Sequence, residues 1–195
     1  MKVKCCEFLK FDLDEVLAGG ENQFVEFKWS ILWSEDLNSK DFYSSKSRDL
    51  KKFKNHTSEV VIAREIAGFL NSKGGLLIIG VDENKGCGVK IVGIRDEFSK
   101  LKNKDCCRDG YRRMIVDSVL RQYFPVEFVN NLSDYVRISF VEREEKLLCL
   151  VEVAPCESPI FLVLNKNEHF FIRIDAEIRE INERELALYC LKRFS

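Results

Sequence analysis

Three acidic residues and a lysine, lying in two short stretches, carry the most chemistry in this sequence. The first stretch is Glu21-Asn22-Gln23-Phe24-Val25-Glu26-Phe27-Lys28 and the second is Gly74-Gly75-Leu76-Leu77-Ile78-Ile79-Gly80-Val81-Asp82. Converging carboxylates supply the hard oxygens that Mg²⁺ or Mn²⁺ takes, with phosphate oxygens completing the shell. A cation held there would polarise a phosphodiester and lower the pKa of its bound water, while one carboxylate orients or deprotonates the nucleophile. A lysine alongside would offset charge on the phosphate or on the leaving oxygen. The candidates for this work are Glu21, Glu26 and Asp82, with Lys28 as the cationic partner.

Particular elements must position them. Val25 and Phe27 alternate with Glu26 and Lys28, the period of a half-buried strand, so Glu26 and Lys28 project from one face. Glu21 is an odd number of residues from Glu26, and a bend must intervene if the two carboxylates are to meet. Gly19-Gly20 supplies that bend, ending a short helix that Asp12 caps and Glu15 completes as a capping box. The second stretch is an uninterrupted apolar run after a Gly-Gly breaker. It predicts a strand buried on both faces, with Asp82 at its exit. Two plainer accounts fit the same residues: an exposed Glu26–Lys28 ion pair that contributes little, and an Asp82 that opens the turn Asn84 and Gly86 continue.

Together the two stretches resemble the Schlafen AlbA_2 family, with its E-x-x-x-x-E-F-K segment, following helix and GG-(apolar)-IGVD strand. Leu148 to Pro159 is similar to the family's late strand, and Phe170 to Arg179 to its closing Y-x-R-x-G-x-x-T-R segment. Asp175 stands where that segment usually has glycine, and Ile178 where it usually has threonine. The resemblance runs from about Asp12 to Asn182. It implies that Glu21, Glu26 and Asp82 form a Mg²⁺- or Mn²⁺-dependent site, with Lys28 at the motif's lysine, and that the chain is an endoribonuclease cleaving structured RNA such as tRNA or rRNA. Many AlbA_2 chains instead resemble noncatalytic DNA- or RNA-binding modules of transcriptional regulators, which is the alternative; a protein-interaction or assembly domain is a third. Schlafen nuclease cores resemble two lobes around an RNA groove, and one lobe's worth of residues here implies a homodimer. Those nucleases also carry a zinc site with His-x-Cys and Cys-Cys elements. Here the corresponding positions read Pro125-Val126-Glu127-Phe128 and a lone Cys156, so no structural zinc is expected.

Residues 30–57 read as a basic and aromatic insertion or loop within a single domain spanning 1–195. Lys40, Lys46, Arg48, Lys51, Lys52 and Lys54 are interleaved with aromatics that begin at Trp29, a mixture that grips phosphates and stacks on unpaired bases. A solvated loop pinned by its aromatics explains them equally well. Arg173 and Arg179 are further candidates for phosphate contact, with salt bridges to nearby glutamates as the structural alternative.

Composition frames these readings. The chain has 195 residues, 46% of them hydrophobic, and a formal net charge of −1. Nucleic acid would therefore have to be met by a local basic patch rather than by overall charge. No apolar run reaches the ~20 residues of a membrane span, and Met1 to Glu7 lacks the apolar core of a signal peptide, which points to a cytoplasmic chain whose eight cysteines stay as thiols. Neither G-x-x-x-x-G-K-[ST] nor G-x-G-x-x-G occurs, which excludes the common phosphate-loop ATPase reading. The remaining periodicity predicts helices over Ser58–Leu70 and Tyr111–Phe124, strands around Val136–Phe140, Leu147–Val153, Ile160–Leu164 and Phe170–Ile174, and a last helix capped by Asn182. The fold class that follows is α+β: a mixed, mainly antiparallel sheet flanked by helices.

Overall fold

The structure, a computed structural model, describes residues 8–32, 57–84, 88–101 and 105–194. At its centre is a four-stranded sheet in the order β1-β2-β6-β5, built from β1 (Val25–Lys28), β2 (Gly75–Ile79), β5 (Val136–Arg143) and β6 (Lys146–Val153). β1 and β2 run parallel, and the crossover between them includes helix α2 (Thr57–Asn71). The other two pairings are antiparallel, as the α+β reading expects. Among the described residues, two-stranded antiparallel pairs complete the strands: β3 (Val81–Asn84) with β4 (Gly88–Ile91), β7 (Leu162–Leu164) with β8 (Asn167–His169), and β9 (Phe171–Ile174) with β10 (Glu177–Glu180).

β2 is buried on both faces because each face is covered by a different helix. Leu77 and Ile79 join Ala63, Ile66, Ala67 and Leu70 of α2 in the main core. Leu76 and Ile78, pointing the other way, pack with Val25 and Phe27 of β1 against Leu13, Val16 and Leu17 from helix α1 (Leu13–Gly19). Asp12 caps α1, its Oδ1 accepting from Asp14 N at 2.9 Å and Glu15 N at 3.1 Å. Gly20, at φ 74°, then turns the chain toward β1.

The main core is closed by α3 (Arg108–Ile115), which continues through a π-helical segment at Val116–Leu120 as far as Tyr123, and then by short helices at Val126–Asn130 and Leu132–Tyr135. Asn182 caps the last helix (Glu183–Arg193), accepting from Arg184 N and Glu185 N at 3.1 Å. The turn of the β9–β10 hairpin puts Asp175 at φ 55°, a left-handed conformation that explains why glycine is favoured there and that aspartate tolerates. Among the described residues, no helix is long and apolar enough to cross a membrane.

Candidate functional site

Glu26 and Lys28 leave β1 on the face opposite Val25 and Phe27, which directs them toward α2 rather than toward open solvent. There they meet Glu65 of α2 and Arg173 of β9. Lys28 Nζ donates to Glu26 Oε1 and lies 3.4 Å from Glu65 Oε1. Arg173 donates from Nη2 to Glu26 Oε2 at 2.8 Å and from Nη1 to Glu65 Oε2 at 3.1 Å. The result is a buried quartet of two acids and two bases. Glu26 is 5% exposed, and the Arg173 side chain is 0% exposed. Charges so far from water persist only when each is paired.

Electrostatics follow the packing. Burial pushes the Glu65 carboxyl above its usual range, against the opposing pull of Lys28 and Arg173. For Lys28, burial favours the neutral amine, but the carboxylates of Glu65 and Glu26 outweigh it and hold the pKa above the usual value. Each member of the quartet thus has a partner of opposite formal charge within the set.

Glu21 sits beside it, at the corner the glycine pair creates. Its Oε1 accepts from Phe27 N at 3.0 Å. Partial burial, reinforced by the Glu26 charge, raises the Glu21 pKa to about 7. The acidic residue that β3 sends toward this corner is Glu83, whose Oε1 accepts from Glu21 N at 3.2 Å. Asp82 alternates with it, is paired across the hairpin with Lys90, and leaves β3 on the opposite side from Glu83.

The predicted trio is thus only partly assembled. Glu21 and Glu26 are electrostatic neighbours, both Glu26 oxygens already accept from cationic donors, and Asp82 alternates with the Glu83 that reaches Glu21 N. Among the described residues, no group of three or more His, Cys, Asp or Glu side chains is arranged to hold a metal ion. A divalent cation at a nuclease site is held by one or two carboxylates, with water and phosphate oxygens completing the shell.

The basic candidates divide similarly. Lys40, Lys46, Arg48, Lys51, Lys52 and Lys54 lie outside the described residues. Arg173, expected as a phosphate contact, is instead an internal strut. Besides the two glutamates it donates from Nε to Asn22 O at 3.0 Å and from Nη2 to Val25 O at 2.9 Å, covering the exposed edge of β1. Arg179 is exposed and pairs with Glu185 at 2.5 Å. Lys28 keeps 20% of its side chain exposed, and Trp29, immediately after β1, is 50% exposed. Cys106 and Cys107 are exposed thiols, while Cys149 and Cys156 are buried.

Sequence reasoning missed Glu65 and Glu83. Glu65 carried a signal: it lies three residues after Ile62 and four before Phe69, on the apolar face of α2, where a charge implies a buried partner. Glu83 had none, because choosing between neighbouring acids at a strand exit requires the strand's register.

The family model described as Schlafen, AlbA_2 matches residues 21–182. No curated protein matches the chain. Among solved structures, the chain is similar to the crystal structure of the DIP2311 protein from Corynebacterium diphtheriae, at a TM-score of 0.49 and 14% sequence identity. That likeness covers 89% of this chain and 24% of the other, so the chain spans about a quarter of that protein's length.

Proposed function

This chain belongs to the Schlafen AlbA_2 family, and from that premise we propose that it is a nucleic-acid-binding domain in which the motif residues build the binding fold rather than cut the ligand. The observation that carries this reading is the saturation of Glu26, whose two oxygens are taken by Lys28 and Arg173. With a cationic donor on each oxygen, Glu26 already has its charge balanced and is committed to the fold. The part of Lys28 left exposed and the half-exposed Trp29 next to it offer a cation and a stacking ring at the end of β1. That combination suits unpaired RNA better than duplex DNA. The basic residues from Lys40 to Lys54, outside the described residues, supply further cations suited to phosphates.

A second reading is favoured by one specific observation, the pKa of about 7 at Glu21 beside Glu26. Strongly perturbed acids cluster at functional sites. In that reading the chain is a Mg²⁺- or Mn²⁺-dependent endoribonuclease acting on tRNA or rRNA through Glu21, Glu26 and Asp82, with Lys28 assisting. It requires Glu26 to release a cationic partner.

One assay separates the two. The full chain is incubated with tRNA, rRNA and DNA at low salt, with Mn²⁺ or with EDTA. We expect RNA mobility shifts that are the same in both and no new products. Mn²⁺-dependent fragments that disappear in Asp82→Asn and Glu21→Gln overturn the binding-only reading in favour of the nuclease. No affinity for any nucleic acid overturns both and leaves an assembly domain.

A further inference from the structure

Next to the quartet, between α2 and the β9–β10 hairpin, lies a cleft of about 290 Å³ lined by Val61, Arg64, Glu65, Glu177 and Ile178. Its volume is just under the roughly 300 Å³ at which small-ligand sites begin. Gly68, one turn along α2 from Arg64, lets the hairpin approach: a Cβ there would stand 2.3 Å from Ile178 Cδ1. The width of the cleft is thus fixed by the packing of two regular elements.

Arg64 is the unusual member. Its guanidinium carbon lies 4.9 Å from the centroid of the Phe171 ring. Its Nε is buried and, among the described residues, has no hydrogen-bond partner. Buried donors left unsatisfied are uncommon and costly. The aromatic platform holds the planar donor fork in place, in the form suited to two-pronged recognition.

The sign of the neighbouring charges selects the ligand. A phosphate would meet the carboxylates of Glu65 and Glu177 along with Arg64, and like charges repel it. Glu65 is already balanced by Lys28 and Arg173. That leaves Arg64 as a donor group and the exposed Glu177 as an acceptor, with Val61 and Ile178 as apolar walls. A flat, uncharged ligand with acceptors on one edge and donors on the next matches this set. Guanine has both: O6 and N7 accept from arginine, and N1–H and the N2 amine donate to a carboxylate. We propose that this cleft takes an unpaired guanine base, either within a single-stranded RNA or as a free guanine nucleotide. The RNA form of the proposal rests on the binding function argued above.

The test compares uridine decamers carrying one central G, inosine or A, together with free GMP, against the full chain and its Arg64→Met and Glu177→Gln variants. Methionine keeps an aliphatic stem over Phe171, and Glu177 is exposed, so both variants are expected to fold; thermal unfolding checks this. We expect the G decamer to bind roughly tenfold or more tightly than the A decamer, the scale of one good bidentate contact. Inosine, lacking the N2 amine, falls between. Arg64→Met removes the preference and leaves the residual affinity for the A decamer unchanged; Glu177→Gln reduces it. Measurable but equal binding of all decamers overturns the guanine cleft and leaves RNA binding standing. GMP binding with no oligonucleotide bound keeps the cleft and overturns the RNA reading. No binding of GMP or of any decamer overturns both.

Discussion

Glu21 occupies the least comfortable position of any acid near the quartet. It is partly buried, close to Glu26, and held by one backbone N–H rather than by a cation of its own. Its pKa rises from a model-peptide 4.5 to about 7 in the fold. The folded state therefore binds a proton that the unfolded chain releases between those values, and stability falls as pH rises from 4.5 to 7. Glu21→Gln removes this dependence. Denaturant midpoints of the wild type and of Glu21→Gln should diverge across that window, with the variant relatively more stable at pH 8. A constant difference from pH 4 to 8 would mean that Glu21 titrates like an exposed glutamate.

At the scale of elements, the quartet is what joins three of them. Glu26 and Lys28 belong to β1, Glu65 to α2 and Arg173 to β9, and Arg173 also donates to Val25 O of β1 and to Asn22 O just before it. Removing one member leaves an uncompensated charge in the interior, which typically costs about 3–5 kcal/mol. Arg173→Met is expected to lose stability on that scale in urea unfolding. Adding Glu26→Gln should recover part of the loss, because Lys28 then faces one carboxylate, Glu65, instead of two. A loss below about 1 kcal/mol would show that the quartet is wetter than its burial implies. Asn71 performs the analogous task at the end of α2, bonding Ile160 O at 2.8 Å and Phe171 O at 2.9 Å.

For the whole molecule, a net charge of −1 gives no general attraction to nucleic acid, so affinity depends on where the cations stand. Many exposed arginines of α3 and β5 already face acids: Arg108 pairs with Glu142, Arg121 with Asp117 and Arg137 with Glu152. Among the described residues these pairs leave few cations for a ligand, and we propose that two copies pair around a shared groove. Light scattering is expected to give a dimer that persists with RNA bound. A strict monomer in both conditions would count against a two-copy groove.

The sequence by itself determined the periodic parts. Alternation at Val25 to Lys28, the apolar run of β2, the amphipathic stripe of α2 and the caps at Asp12 and Asn182 all appear where the pattern put them, because these are governed by neighbours within a few residues. It also put Glu26 and Lys28 on one face. Only the tertiary structure decided what that face meets. Whether Glu26 finds a cation in water, a metal or Arg173 depends on a hairpin well over a hundred residues away, and whether Asp82 or Glu83 faces Glu21 depends on strand register. Burial of charge depends on long-range packing, and no local spacing of residues contains it.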